Sequence, residues 1–349
     1  MQITLETANL LIVSQKYQEL YDILAGQQDP VLQYKRAIAA VGLNKNREAM
    51  LILFRLLKIG KLGVLSLLLP LLVKLEQKDR ALQLVEHLAA KVDTSQQYAW
   101  QALIYRAAGE QQMANDIQWN ALTAKKLELG ERFQQLTAGQ KAKIFSHIVF
   151  TGGAADLFTE VGQRTLAMLV EQGLKPQHHV LDIGSGCLRC GIPLINYLQP
   201  ERYCGIEPNL IMQRFGQQYL LSPEQQSAKK PRFDDNKHFD FSTFDKRFDV
   251  FVARSIWTHT SRQQIQQCLD SFGENRNPDG VFFASMIPTS NHKEAYLGDE
   301  WLGLSDSSLQ VGYAYHPYDW LETQCQARGL QLQELSEHHF NDQIWLRIQ

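Results

Sequence analysis

The spacing of apolar residues changes character partway along the chain. Up to about residue 127, apolar positions recur with the period of an α-helix. From about residue 155, short β-rich runs such as "HVLDIG", "YCGIE", "FDVFVARS" and "GVFFASMIP" alternate with helical stretches. The pattern therefore predicts an all-α region followed by an α/β region with a doubly wound sheet.

The first region contains similar short segments at a regular spacing. They centre on Tyr17, Ala49, Ala81 and Ala114, and the spacings are 32, 32 and 33 residues. A period near 33 is typical of helical-hairpin arrays, in which small side chains allow two helices to cross closely. The region resembles a degenerate tetratricopeptide repeat over residues 1–127, and the alternative is a helical bundle with coincidental spacing. The concave face of such an array would bind a protein, or would form a homodimer surface.

The second region is expected to close its sheet with an antiparallel hairpin. Leu330–Glu337 and Asp342–Gln349 have strand patterns and are separated by only four residues, which is too short for a crossover helix. Over residues 155–349 we therefore predict a doubly wound α/β sheet that ends in this hairpin. Residues 128–154 are predicted to form a helical linker.

Composition excludes several broad classes. The 349-residue chain has a formal net charge of −2 and 44% hydrophobic residues, so a general nucleic-acid binder is not expected. Its most apolar run, residues 62–73, is too short to span a bilayer and contains Pro70. The first residues carry Glu6 and no basic segment, so no secretory signal is predicted. Five cysteines without such a signal favour reduced thiols and a cytoplasmic location.

An acid precedes two glycines at the end of the first predicted strand. The segment reads "DIGSG", with Asp182 two residues before Gly184, whereas dehydrogenases place their glycines first. Glu207 ends the second predicted strand, 21 residues after Gly186. An acid at that point is placed to bind ribose hydroxyls. Together with the closing hairpin, these residues resemble motif I and its partner acid in class I S-adenosylmethionine (SAM)-dependent methyltransferases, over residues 155–349.

The resemblance implies a Rossmann-like, seven-stranded sheet over residues 155–349. It also implies SAM as the cofactor and assigns its contacts. Asp182 would orient the methionine end, and Asp235 would contact adenine, with Asp234 and Asp240 as rivals for that role. Leu188 stands where the family's third glycine is usual. The implied cofactor-binding residues are Asp182, Ile183, Gly184, Ser185, Gly186, Glu207, Pro208, Asn209, Asp235, Arg254 and Ser255.

The candidate residues for binding the methyl acceptor and for its chemistry follow the fourth and fifth predicted strands. His259 is the predicted general base because a histidine pKa lies near working pH, although it could instead only structure the turn. Tyr313 and Tyr315 lie in an insertion between Pro288 and Tyr318. These tyrosines would line the acceptor pocket, or would pack as a surface lid.

Cys187 and Cys190 have the spacing of a redox or half-zinc pair. The sequence has no second pair of this kind and no Cys or His at ligand spacing nearby, so no metal site is predicted. Their position inside the glycine-rich loop accounts for both residues sterically.

The leading hypothesis is methyl transfer from SAM to a protein, glycan or small metabolite that the helical repeats help to recruit. The alternative is a catalytically inactive methyltransferase-fold scaffold that acts through protein–protein interaction. An NAD-dependent oxidoreductase is disfavoured by Asp182 and by the closing hairpin.

Overall fold

The computed structural model describes residues 3–13, 15–290, 293–302, 312–340 and 342–349. The described residues fall into two compact units. The first covers the described residues up to 130 together with Gly312, and the second covers those in 131–302 and 313–349. Each unit has its own apolar core.

The described part of the first unit is entirely helical. Its helices are α1 (Leu5–Val13), α2 (Tyr17–Ile23), α3 (Pro30–Gly42), α4 (Asn46–Lys58), α5 (Leu65–Lys74), α6 (Lys78–Leu88), α7 (Thr94–Ala107) and α8 (Gln111–Leu129). They follow one another as pairs, α1 with α2 through α7 with α8. The turn inside each pair contains a residue with positive φ, namely Gln15, Asn44, Glu76 and Gly109.

Alanines recur at one position of this array. Ala49, Ala81 and Ala114 are each the fourth residue of the second helix in a pair, and each is fully buried. In the first pair the equivalent buried residue is Leu20, because α2 begins at Tyr17. The first spacing is therefore 29 residues, and the prediction that Tyr17 occupies the repeated position is wrong. Membership of the tetratricopeptide class stays a prediction.

The second unit is built on a mixed sheet. Its described strands are β1 (Val180–Ile183), β2 (Tyr203–Ile206), β3 (Arg232–Asp234), β4 (Phe248–Ala253), β5 (Arg276–Pro288), β6 (Tyr315–His316), β7 (Leu332–Phe340) and β8 (Gln343–Ile348). The order is β3-β2-β1-β4-β5-β8-β7, with β1 to β5 parallel and β8 antiparallel to both neighbours. The predicted antiparallel hairpin is confirmed.

The predicted count of seven strands omits β6. This two-residue strand pairs in parallel with the end of β5, where Ile287 lies opposite Tyr315. Such a short strand has no alternating apolar run that a sequence pattern could detect.

Helices cover both faces of the sheet. The helices of this unit are α9 (Arg132–Gln135), α10 (Ala138–Phe145), α11 (Phe158–Glu171), α12 (Gly191–Tyr197), α13 (Leu210–Phe215), α14 (Pro223–Lys229), α15 (Arg262–Asn275) and α16 (Tyr318–Gln326). Those whose side chains join the cores against the sheet are α11, α12, α15 and α16. Met168 of α11 belongs to a core with Val180 and Val250, whereas Phe272 of α15 belongs to a separate core with Phe251. Alternation along each strand divides the apolar side chains between these two cores.

The segment predicted as a linker contributes to the second unit. Phe145 of α10 is fully buried, and its ring centroid lies 5.5 Å from that of Tyr219. Where the domains begin and end, at residues 127 and 155, stays a prediction.

Among the described residues, no helix combines the length and apolarity needed to cross a bilayer. The cytoplasmic location stays a prediction.

Candidate functional site

The carboxyl ends of the parallel strands bring the predicted site residues together. Ile183 pairs with Ile206 across β1 and β2, and Asp182 pairs with Val252 across β1 and β4. The turn after β1, the acid after β2 and the segment after β4 therefore meet at one edge of the sheet. Ligands of open α/β sheets bind at this edge.

The turn after β1 depends on its first glycine. Gly184 has φ +68° and Gly186 has φ +54°, which are left-handed values that favour glycine. A Cβ atom on Gly184 would lie 2.0 Å from Cδ1 of Ile256. The turn is also tied to β2, because the Ser185 amide donates to the Ile206 carbonyl at 2.9 Å. The backbone angle at residue 184 thus favours glycine, and a larger side chain there would also have to displace the end of the Ile256 side chain.

Glu207 points its carboxylate at this turn. The Gly186 amide donates to Glu207 Oε2 at 2.9 Å, and the Asn209 amide donates to Oε1 at 2.8 Å. Glu207 is 8% exposed, so the backbone amides hold a nearly buried negative charge in one place. Asn209 in turn caps α13, and Pro208 between them is exposed.

Asp182 is buried beneath the turn. Its Oδ2 accepts a hydrogen bond from the Tyr203 hydroxyl at 2.7 Å. Burial raises the pKa of Asp182 to about 7, and the bond from Tyr203 opposes that rise. Tyr203 was not predicted as a site residue. It is 21 residues from Asp182, and only the pairing of β1 with β2 brings the two together.

The acids after β3 have different surroundings. Asp234 ends the strand and accepts hydrogen bonds from Asn236 and from the Thr243 hydroxyl. Burial raises the pKa of Asp234, but these bonds outweigh it and the net shift is downward. Asp235 and Asp240 are exposed. The assignment of Asp235 to adenine stays a prediction.

A buried polar cluster anchors the segment after β4. Ser255 has φ +59°, its amide donates to Ser285 Oγ at 2.7 Å, and its hydroxyl donates to Gln343 Oε1 at 3.0 Å. The Arg254 guanidinium carbon lies 4.4 Å from the centre of the Phe340 ring. Ser285 and Gln343 were not predicted, since neither belongs to a motif. They meet Ser255 only because β5 pairs with β8.

His259 lies among aromatic rings. Its ring centroid is 5.6 Å from those of both Trp301 and Tyr313. Burial lowers the pKa of His259 to about 4. The reason for predicting it as a general base, a pKa near neutrality, is therefore wrong. Tyr313 is exposed, whereas Tyr315 is buried in β6 and burial raises its pKa to about 12. The rest of the insertion falls partly at residues 291–292 and 303–311, outside the described residues.

The two loop cysteines are buried free thiols. The Cys187 thiol donates to the Phe150 carbonyl at 3.1 Å. Burial raises the pKa of Cys190 to about 11, which keeps that thiol protonated at neutral pH. Within the described ranges, the potential metal ligands that cluster are Glu171, Glu337 and His338.

No protein-family model matches the chain. It is similar to solved structures that are 14% identical to it. The alignment with a DhpI–SAH complex covers 61% of this chain and 92% of the DhpI chain, with a TM-score of 0.43. The alignment with the CcbJ methyltransferase from Streptomyces caelestis covers 62% of this chain and 98% of the CcbJ chain, with a TM-score of 0.43. The alignment with the magnesium protoporphyrin IX methyltransferase from Synechocystis PCC 6803 with bound SAM covers 67% of this chain and 95% of that methyltransferase, with a TM-score of 0.40. The strand order of the chain itself establishes a Rossmann-like mixed sheet for the second unit.

Proposed function

We propose that the chain is a SAM-dependent methyltransferase. One observation carries the proposal: the Glu207 carboxylate lies beside the glycine turn, 2.9 Å from the Gly186 amide, at the carboxyl edge of the sheet. An acid at the end of the second strand binds ribose hydroxyls in nucleotide-binding folds of this kind. The antiparallel β7–β8 hairpin accords with the methyltransferase form of the fold rather than the dehydrogenase form.

The residues of the turn fit a bound nucleoside. A Cβ atom on Gly186 would lie 3.2 Å from Cε of Met212 and 4.0 Å from Glu207 Oε2, so glycine keeps the approach to the carboxylate open. The Ser185 hydroxyl is buried without a partner among the described residues. Burying an unpaired hydroxyl oxygen costs free energy unless a ligand or water completes its hydrogen bonds. Glu207 would hold the ribose, and Asp182 would hold the positively charged amino group at the methionine end.

The other assignments follow from position at the same edge. Asp235 would contact adenine, and Arg254 and Ser255 would border the cofactor after β4. Backbone groups of the two turns would complete the contacts, from Ile183, Gly184, Ser185, Pro208 and Asn209. When bound, SAM supplies a methyl group on a positively charged sulfur.

The chain itself must then hold the acceptor in line with that methyl group. Because burial disfavours the protonated imidazole and lowers the pKa of His259 to about 4, the side chain is a weak base. We assign it the orientation of the acceptor by hydrogen bonding rather than removal of a proton. Tyr313 and Tyr315 would line the acceptor pocket on the same side as His259. The acceptor is proposed to be a protein, a glycan or a small metabolite, recruited in part by the helical array. That array could instead form a homodimer.

Calorimetric titration tests the proposal. The ligands are SAM, its demethylated product S-adenosylhomocysteine (SAH), and NAD. We expect micromolar affinity for SAM or SAH and no binding of NAD. Transfer of a labelled methyl group to components of a cell extract then tests turnover. Binding of NAD alone would contradict the proposal, and cofactor binding without transfer to any acceptor would favour a non-catalytic scaffold.

A further inference from the structure

Tyr203 reaches Asp182 diagonally across two parallel strands. Val180 pairs with Tyr203 and Asp182 pairs with Gly205, so Tyr203 and Asp182 lie on the same face of the sheet, and the residue directly opposite Asp182 is a glycine. Their side chains are joined by a 2.7 Å hydrogen bond, and the two residues are 2% and 3% exposed. A buried phenol and a buried carboxylate are therefore held in one arrangement.

The bond occupies only one oxygen of the carboxylate. Tyr203 donates to Oδ2, and Oδ1 has no hydrogen-bond partner in the described part of the chain. An ionised carboxylate can accept several hydrogen bonds, so Oδ1 keeps its capacity for a ligand.

A third residue provides space for the hydroxyl. A Cβ atom on Gly191, the first residue of α12, would lie 2.5 Å from the Tyr203 hydroxyl oxygen and 2.9 Å from Cδ2 of Leu188. That distance is shorter than any ordinary contact. The absence of a side chain at residue 191 is thus a condition for the bond between Tyr203 and Asp182.

We propose that Tyr203 is a positioning residue, whose hydroxyl fixes the Asp182 carboxylate so that Oδ1 receives the ammonium group of the cofactor's amino-acid end. This inference rests on the proposed function. It assigns to Tyr203 a role in affinity for ligands that carry the amino-acid end, and no role in binding adenosine.

The same arrangement makes binding sensitive to pH. Burial raises the pKa of Asp182 to about 7, and only its ionised form attracts an ammonium group. Affinity should therefore rise as pH increases through about 7. The titratable groups facing Asp182 are Tyr203 from β2 and Cys190 from the loop, with the charges of Arg189 and Arg254 beyond Cys190. Because the Tyr203 bond favours the ionised carboxylate, its removal should shift the rise in affinity to higher pH.

The test compares two ligands and two tyrosines in the full chain. SAH carries the amino-acid end, whereas 5′-methylthioadenosine lacks it. Tyr203→Phe should weaken SAH binding about tenfold or more near pH 7 and leave 5′-methylthioadenosine binding unchanged. The matched control is Tyr197→Phe in α12, where the lost hydroxyl bonds only to the Leu174 carbonyl. It should change neither affinity.

Gly191→Ala gives a second variant, since it displaces the Tyr203 hydroxyl while both partners remain. It should also weaken SAH more than 5′-methylthioadenosine, and it carries the test if Tyr203→Phe fails to fold. The positioning role would be overturned if the variants lost affinity for both ligands equally, or if their SAH affinity matched that of the wild type at every pH. If the wild-type chain binds neither ligand, the proposed function itself fails.

Discussion

The two units bury different chemistry. In the described part of the first unit, the buried polar side chains are those of Ser95 and Gln118, and the rest of its buried set is apolar. In the second unit the buried polar side chains are more numerous. They are Thr151, Thr165, Asp182, Ser185, Arg189, Glu207, Gln213, Thr258, Thr260, Ser261, Ser285, His316 and Gln343.

The difference accords with the proposed ligand site in the second unit. Burying a polar group costs free energy unless it is hydrogen-bonded, so such groups persist where they hold a structure or a ligand in place. In the second unit, several of them lie at the carboxyl edge of the sheet, where Asp182 and Glu207 accept hydrogen bonds at fixed distances. The buried side chains of the helical array instead form an apolar cluster.

The largest expected effect comes from Glu207→Ala, which removes the proposed ribose ligand. Loss of two charge-assisted hydrogen bonds should weaken SAM binding by about 3–6 kcal/mol. Calorimetry measures the affinity, and circular dichroism checks that the fold is retained. Glu274→Ala, at an exposed acid of α15, is the control and should bind normally. An unchanged dissociation constant for the Glu207 variant would remove Glu207 from the site.

Leu53→Ala should separate stability from binding. Leu53 of α4 is fully buried, so its truncation should destabilise the first unit by about 2–5 kcal/mol. Leu51→Ala on the same helix, at a side chain that is 56% exposed, should change stability by less than about 0.5 kcal/mol. Chemical denaturation measures both. SAM affinity should match the wild type in each variant, and a loss in Leu53→Ala would show that the array supports the cofactor site.

Lowering the pH should destabilise the second unit through His316. Burial lowers the pKa of His316 to about 4, below the usual histidine value of 6.5. The unfolded chain therefore binds the proton first as pH falls, and the second unit should lose about 2 kcal/mol from this histidine between pH 7 and pH 5. The first unit has a single histidine, the exposed His87.

Denaturation of the full chain at the two pH values checks this. His316→Gln should reduce the pH dependence, whereas His238→Gln, at an exposed position, should leave it as in the wild type. Equal pH dependence in all three proteins would contradict the assignment to His316.

The smallest expected effect is that of deleting the array on cofactor affinity. A chain of residues 131–349 contains every described strand and the helices that cover the sheet. It should fold and bind SAM as the full chain does, while turnover on the natural acceptor should fall if the array recruits it. Calorimetry and methyl-transfer assays on both chains measure this. Full turnover in the shorter chain would leave dimerisation or localisation as the role of the array.

Local patterns in the sequence determined much of this protein. The recurrence of Ala49, Ala81 and Ala114, the glycine turn at Gly184, the acid at Glu207 and the short connection inside the closing hairpin all lie within single segments. Helical period, left-handed glycine geometry and the length of a connection are properties of neighbouring residues, and they can therefore be identified without knowledge of packing.

Tertiary structure alone decided the remainder. The bond from Tyr203 to Asp182 and the cluster of Ser255, Ser285 and Gln343 depend on the register of strands that are far apart in sequence. The low pKa of His259 depends on how deeply its ring is buried, which no local motif encodes. Register and desolvation result from packing of the whole unit, so residue type and spacing could point to Asp182, Ser255 and His259 but not to their partners or their charge.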